Sequence, residues 1–209
     1  MKIYDWHIAP NPRRLHIYLA EKGIKVPLVE VSGDNFTLQP SYIAKYPHAM
    51  VPMLELDDGT LIGEVMAIAR YFEELHPDPP LIGVDAKDKA IVEMWERRAN
   101  EEGMLAASEL FRNTHEAFAA RGLPGSAEAI PRVPQLVDRA RARMARFYKK
   151  FDAQLADNEF VAGPRYTVAD ITTLCTVDFG KWTENDIPAD CKNLRRWYDA
   201  VSARPSAKA

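Results

Sequence analysis

Cysteine is scarce in this chain. Two occur among 209 residues, Cys175 and Cys191. They form no C-x-x-C pair and neither lies near the motif around residue 51, which argues against a thioredoxin-type dithiol and against zinc. No metal is expected. A disulfide between them is out of keeping with a cytosolic chain. An excess of charge of one sign is also missing. Lys and Arg number 27 against 30 Asp and Glu, a formal net charge of −3, so neither nucleic acid nor an anionic membrane is favoured as a partner. No apolar run approaches the length of a membrane span. The start, Met1-Lys2-Ile3-Tyr4-Asp5-Trp6-His7, lacks a signal-peptide core and already reads as a strand. A cytoplasmic location is the expectation. No internal repeat or low-complexity segment occurs. The length suffices for one large domain or two small ones.

Proline, by contrast, is placed tellingly. Val51-Pro52 stands between a turn segment, Lys45 to Met50, and the apolar run Met53-Leu54-Glu55-Leu56. A proline at the mouth of a strand cannot donate to the sheet ladder. It is tolerated where that N–H is not needed, often as a cis bond in a tight turn, and a cis Val51–Pro52 bond is expected. Such a turn leaves the main-chain N–H and C=O of Val51 facing outward, where an extended peptide can pair with them as another strand would. The simpler alternative is a strand-entry proline with no ligand.

Lys2–Trp6 and Pro27–Val31 read as strands. Ala9-Pro10-Asn11-Pro12 reads as a loop ending in a helix start, with Asn11 as the N-cap and Pro12 as the first helical residue. Leu15, Tyr18, Leu19 and Lys22 follow at helical spacing, and Gly23 stops the helix. Leu38–Lys45 is a short helix or an irregular turn. Val51–Leu56 and Thr60–Ile62 form a hairpin about Asp57-Asp58-Gly59. Glu64–Leu75 is a helix with Ala67, Ile68, Tyr71, Phe72 and Leu75 on one face. The order β-α-β-α-β-β-α is thioredoxin-like, a mixed sheet with helices on its faces. His76-Pro77-Asp78-Pro79-Pro80 cannot continue a helix and forms a stiff linker. Domains are therefore expected at 1–76, an α/β unit that binds the ligand, and 86–209, an all-helical unit. In the second, Ala86–Ala120 reads as one long, bent helix. Val137 to Leu155 is strongly amphipathic. Thr167-x-x-Asp170 is a capping box with Asp in place of Glu. Leu194, Trp197 and Val201 mark the last helix.

Val51-Pro52-Met53-Leu54, then Asp58-Gly59 through Leu61-Ile62-Gly63-Glu64-Val65-Met66-Ala67-Ile68 and Tyr71, resembles the pattern of cytosolic glutathione transferases. Lys2-Ile3-Tyr4 and the stretch from Arg14 to Ile24 are similar to that family's first strand and helix. Phe160-Val161-Ala162-Gly163, Thr167-Val168-Ala169-Asp170-Ile171 and Ala203-Arg204-Pro205 are similar to its C-terminal signatures. The resemblance runs the length of the chain, in order. It implies a thioredoxin-like domain followed by an all-helical one, with glutathione as co-substrate. It also implies transfer of the glutathione thiolate to a small hydrophobic electrophile, a role in detoxification, and a homodimer.

The resemblance also implies a site. Val51 holds the cysteinyl part of glutathione through its main chain, and Pro52 shapes that edge. Glu64 takes the α-ammonium of the γ-glutamyl end, and the Val65 N–H its α-carboxylate. His48, or Lys45 reaching back, meets the glycine carboxylate; Met50 cannot. The position that usually carries Ser or Cys falls at Ala9, which has no donor, and Tyr4 inside its strand is a poor substitute. The nearest polar side chain is Asn11. The segment is similar to the "APTPNG" of bacterial nu-type members, in which an Asn approaches the sulfur. A helix N-terminus there favours a thiolate. Asn11 is thus a cap, a catalytic donor to sulfur, or both. Phe111, Arg112, Phe179 and Trp182 could line the electrophile pocket, but helical spacing favours core or surface for each, and they stand outside the expected site. Two alternatives stay open: the lack of Ser, Tyr or Cys at position 9 and the Asn11 similarity allow a glutathione-dependent disulfide reductase on the same fold, and Ala9, Met50 and Val65 allow a binding or scaffold protein without catalysis.

Overall fold

A computed structural model describes residues 1–34, 37–125 and 128–209. The first seven elements are β1 (Lys2–Asp5), α1 (Pro10–Lys22), β2 (Leu28–Glu30), α2 (Pro40–Lys45), β3 (Met53–Glu55), β4 (Leu61–Gly63) and α3 (Val65–Leu75). The order is the one expected from the sequence. The strands form one sheet in the order β2-β1-β3-β4. β1 runs parallel to β2 and antiparallel to β3, and β3 and β4 close the hairpin. Alternation along β1 and β3 splits the faces. Ile3 and Leu54 join the main core with Leu15 of α1 and Ile68 of α3. Tyr4 and Met53 pack on the opposite face with Tyr42 of α2.

α1 ends at Gly23, whose φ of 65° lies where a side chain is disfavoured. The Ile24 N–H then reaches back to the Leu19 carbonyl at 2.9 Å. At the end of α3, Glu73 binds the linker: its carboxylate accepts from the main-chain N–H of Leu81 and Ile82, at 2.9 and 3.0 Å. Both Val51–Pro52 and Asp78–Pro79 are cis.

Beyond the linker the described structure is helical. α4 (Ala86–Arg98) runs through a π-helical turn, Ala99–Met104, into α5 (Leu105–Thr114). The single long helix expected to Ala120 ends earlier, and a 3-10 turn at Glu116–Phe118 follows. α6 (Leu136–Gln154), α7 (Val168–Lys181), α8 (Lys192–Ser202) and a last 3-10 turn, Pro205–Lys208, complete the chain. α7 is central, buried from Val168 to Val177. Its capping box forms: Asp170 accepts from the Thr167 N–H at 2.9 Å, and also from the Val161 N–H (2.8 Å) and the Trp197 indole (2.9 Å). Burial outweighs these bonds and pushes the Asp170 carboxyl up to about 6.

Charge pairs tie the halves together. Arg13 of α1 meets Asp178 of α7 at 2.8 Å. Arg14 is almost wholly buried; its guanidinium donates to Glu96 (2.6 Å), Thr172 (3.1 Å), Asn100 (3.0 Å) and Asn11 (3.0 Å). Burial lifts the Glu96 carboxyl above its usual range, and the Arg14 charge pulls it back. The C-terminal turn clasps α1: Arg204 makes two bonds of 2.8 Å to Glu21, Ser206 donates to the same carboxylate, and Arg13 donates to the Ala207 carbonyl. Cys175 and Cys191 are free and buried.

Candidate active site

The sheet register brings three chain segments to one end. Tyr4 pairs with Met53, and Met53 with Gly63. The exit of β1 toward α1, the entry to β3 at Val51-Pro52 and the exit of β4 at Glu64-Val65 therefore lie side by side. A cleft of about 340 Å³ opens there against the helical half. Ala9, Pro10, Asn11 and Val51 line its sheet side; Phe111, Phe118, Phe179 and Trp182 line its helical side.

Asn11 does not cap α1. The N-cap is Ala9, without a side-chain bond, and Pro10 is the first helical residue. Pro10 already supplies the fixed φ of a first helical position, so the helix starts earlier than Pro12; the Ala9 carbonyl accepts from Arg13 at 3.1 Å. This shift matters for the chemistry. Prolines at 10 and 12 carry no N–H, so Asn11 supplies the free main-chain donor of the first turn. Its side-chain oxygen accepts from Arg14 at 3.0 Å. An amide whose oxygen faces a guanidinium turns its NH2 away, and that NH2 has no protein partner among the described residues.

Val51 is half-buried, and neither its main-chain N–H nor its C=O bonds to a described protein group. Glu64 holds φ at 65°, the left-handed region, as the N-cap of α3, and its side chain makes no cap bond. It is exposed and forms no ion pair among the described residues. Val65 is the first residue of α3, so its N–H is an unpaired end donor. Tyr46 packs its hydroxyl against Gly63 beside them: a Cβ there would lie 2.1 Å from that oxygen and push the ring aside. Pro52, Glu64, Val65 and His48 flank the cleft without lining it. His48 is exposed, its ring edge-on to Tyr46 at 5.1 Å. Lys45 does not reach back, because it pairs with Glu55 at 2.7 Å. Tyr4 donates to the same carboxylate at 2.7 Å, which takes its hydroxyl away from the cleft.

Residues 3–80 match the family model described as Glutathione S-transferase, N-terminal domain, and residues 110–205 match Glutathione S-transferase, C-terminal domain. The chain belongs to the glutathione S-transferase family. It is 34% identical to Glutathione S-transferase 2 of Saccharomyces cerevisiae, an alignment covering 100% of this chain and 88% of that protein. A crystal structure of a glutathione S-transferase domain-containing protein from Marinobacter aquaeolei superposes with a TM-score of 0.85 at 38% identity, covering 99% of each chain. That of Gtt2 from Saccharomyces cerevisiae gives 0.86 at 34%, covering 100% of this chain and 99% of the other. Neither the reductase nor the scaffold alternative is favoured by these likenesses.

The helical wall of this transferase's cleft was the part least visible in the sequence. Phe111 is its hub, with ring centroids 5.3 Å from Phe118, 5.4 Å from Phe179 and 5.6 Å from Trp182. Arg112 lies in the same wall. Trp182 is half exposed although it is large and aromatic; the sequence shows only that it follows Phe179 by three residues, which does not tell cleft from core. Among the described residues no helix is long and apolar enough to cross a membrane.

Proposed function

We propose that the cleft holds glutathione along its sheet edge and presents the sulfur to an apolar electrophile resting on the aromatic wall. One observation carries this reading. The unpaired main-chain N–H and C=O of Val51 lie at the same sheet end as the starts of α1 and α3. Val51 pairs with the cysteinyl residue as an added strand would, with Pro52 shaping the turn. Glu64 takes the α-ammonium, and the N–H of Val65 at the α3 terminus takes the α-carboxylate. His48 meets the glycine carboxylate from the rim.

In this reading Asn11 is the catalytic residue. Arg14 fixes its amide so that the NH2 donates to sulfur. A hydrogen bond to the charged form favours that form, so the thiol ionises more readily. The thiolate sulfur bonds to an electrophilic carbon, and the displaced electron pair leaves with the departing group or remains on the adduct. Titration calorimetry with reduced glutathione tests the site. Binding is expected at millimolar concentrations or below, and bound thiol should ionise below its free value by ultraviolet thiolate absorbance. Asn11→Ala should raise that value by about one unit, the scale of a charge-assisted bond. An unchanged titration would remove Asn11 from the chemistry.

The domain division at 1–76 and 86–209, a cytoplasmic location and a role in detoxification belong to the same proposal. So does a homodimer. Met94 on α4 is exposed, and α3 presents a shallow hollow with Met66, Tyr71 and Leu75. Met104, further along the same helical stretch, is buried and lines the cleft. A symmetric interface of more than about 1,000 Å² would cover such faces. Sedimentation showing a single species of 23.6 kDa would refute the dimer.

A further inference from the structure

Arg112 is a cation set among the aromatic side chains of the helical wall. Its guanidinium stacks on Phe118, 4.7 Å from the ring centroid, and donates one bond to the Arg121 carbonyl at 3.0 Å. Three other arginines that are buried or half-buried have carboxylates: Arg13 has Asp178, Arg14 has Glu96, and Arg204 has Glu21. No described carboxylate pairs with Arg112. Burial, with some help from the neighbouring Arg121, lowers its pKa to about 10, so it remains charged at neutral pH. Arg121 stacks on the same Phe118 ring at 4.9 Å and borders the same cleft. The half-buried guanidinium, stacked on one ring and giving one bond to a carbonyl, keeps unused donors that an anion can take. The cleft between Arg112 and the sheet edge is the place where such an anion can enter.

We propose that Arg112 binds a carboxylate on the second substrate, so that this transferase's preferred electrophiles are aromatic acids. The inference rests on the reading of the cleft as the transfer site and adds the substrate class. The ring of such an acid stacks among Phe111, Phe179 and Trp182. Its carboxylate takes the planar fork of Arg112, which suits two parallel hydrogen bonds. The reacting carbon is then held by its far end while sulfur approaches from the Asn11 side. In a nucleophilic aromatic substitution the thiolate forms the C–S bond, the electron pair enters the ring, and chloride leaves with it.

A matched pair of probes isolates the charge: 4-chloro-3,5-dinitrobenzoate and its methyl ester, each with saturating glutathione. The wild-type protein should have a lower KM for the acid. Arg112→Met should lower kcat/KM for the acid about 10- to 100-fold, chiefly through KM, the scale of a charge-assisted bond. The acid-to-ester ratio of kcat/KM should fall by about tenfold or more, whatever the ester's own change, with no rise confined to the glutathione KM. Arg112→Lys should restore only part of the preference, because a point charge lacks the fork. Equal losses for acid and ester would overturn the proposal, and so would a rise confined to the glutathione KM. A second measurement needs no variant. 3,5-Dinitrobenzoate should inhibit the wild-type protein at least about tenfold better than 3,5-dinitrobenzamide, competing with the electrophile. Equal inhibition, or competition with glutathione, would overturn it. Turnover of the ester without any preference for the acid would sink this inference alone; no turnover of either, with no glutathione binding, would sink the transfer site itself.

Discussion

On the sheet side the cleft is edged with main chain; on the helical side it is built from side chains. At Val51, at Val65 and at Asn11 the useful donors and acceptors include peptide groups, placed by the strand register and by helix starts. Across from them stand Phe111, Phe179, Trp182 and Arg112, each useful for its ring or its charge. The difference teaches what substitution can reach. A peptide group survives any change of side chain other than to proline. The sheet edge therefore tolerates Ala9, Met50 and Val65, where the family usually has polar groups, and keeps its donors. The aromatic wall has no such protection, so under the proposed reading the range of second substrates can change while glutathione recognition stays.

The largest effect should come from the buried network beneath both walls. Arg14→Ala would leave Glu96 as an unpaired charge in the core and free the Asn11 amide. A loss of about 3–5 kcal/mol is expected, lowering the thermal midpoint by roughly 10 °C. A change no greater than that of the exposed Arg70→Ala would mean that the two walls stand independently.

A pH experiment then separates the halves. The Asp170 carboxyl titrates near 6 in the folded chain against an ordinary 3.8. The folded state therefore holds the proton more tightly, and stability from this group is complete below about pH 3.8 and lost as pH rises through 6. The two-unit rise corresponds to about 3 kcal/mol. In Asp170→Asn that pH dependence should vanish, so the stability difference between parent and variant should shrink between pH 4 and 6. A constant difference would show that the carboxylate is already ionised at pH 4.

Kinetics sharpen the contrast further. Trp182→Ala should raise the KM for an aromatic electrophile about fivefold, the scale of one ring–ring contact, and leave the glutathione KM within about twofold. Val51→Ala should do least. It keeps both peptide groups, so the glutathione KM should rise less than about threefold. A tenfold rise would mean that the valine side chain, not the main chain, makes that edge.

How much of this was legible beforehand follows the same division. The strand and helix order to Leu75, the capping box at Thr167 and Asp170, and the cis turn at Pro52 rest on local rules, and local residues carry them. Asn11 was misplaced by two helical positions because either of two prolines satisfies a helix start. The π-helical turn at Ala99–Met104 has no local signature. Phe111 and Phe179 looked like core because helical spacing cannot tell a face turned to a neighbour from a face turned to a cleft. Arg112 stood out only when its missing carboxylate partner could be checked in three dimensions.

The C-terminal clasp has a consequence for how the molecule is made. Glu21 of α1 is held by Arg204 and Ser206, and Arg13 by Asp178 and the Ala207 carbonyl. An emerging chain can form its sheet early, but its first helix cannot gain these partners until residue 207 has left the ribosome. Until then the polar flank of α1 faces solvent or a chaperone. The helix that edges the cleft is therefore fastened only by partners some 180 residues further along, and a chain lacking Arg204 to Ala207 would leave its polar flank unheld.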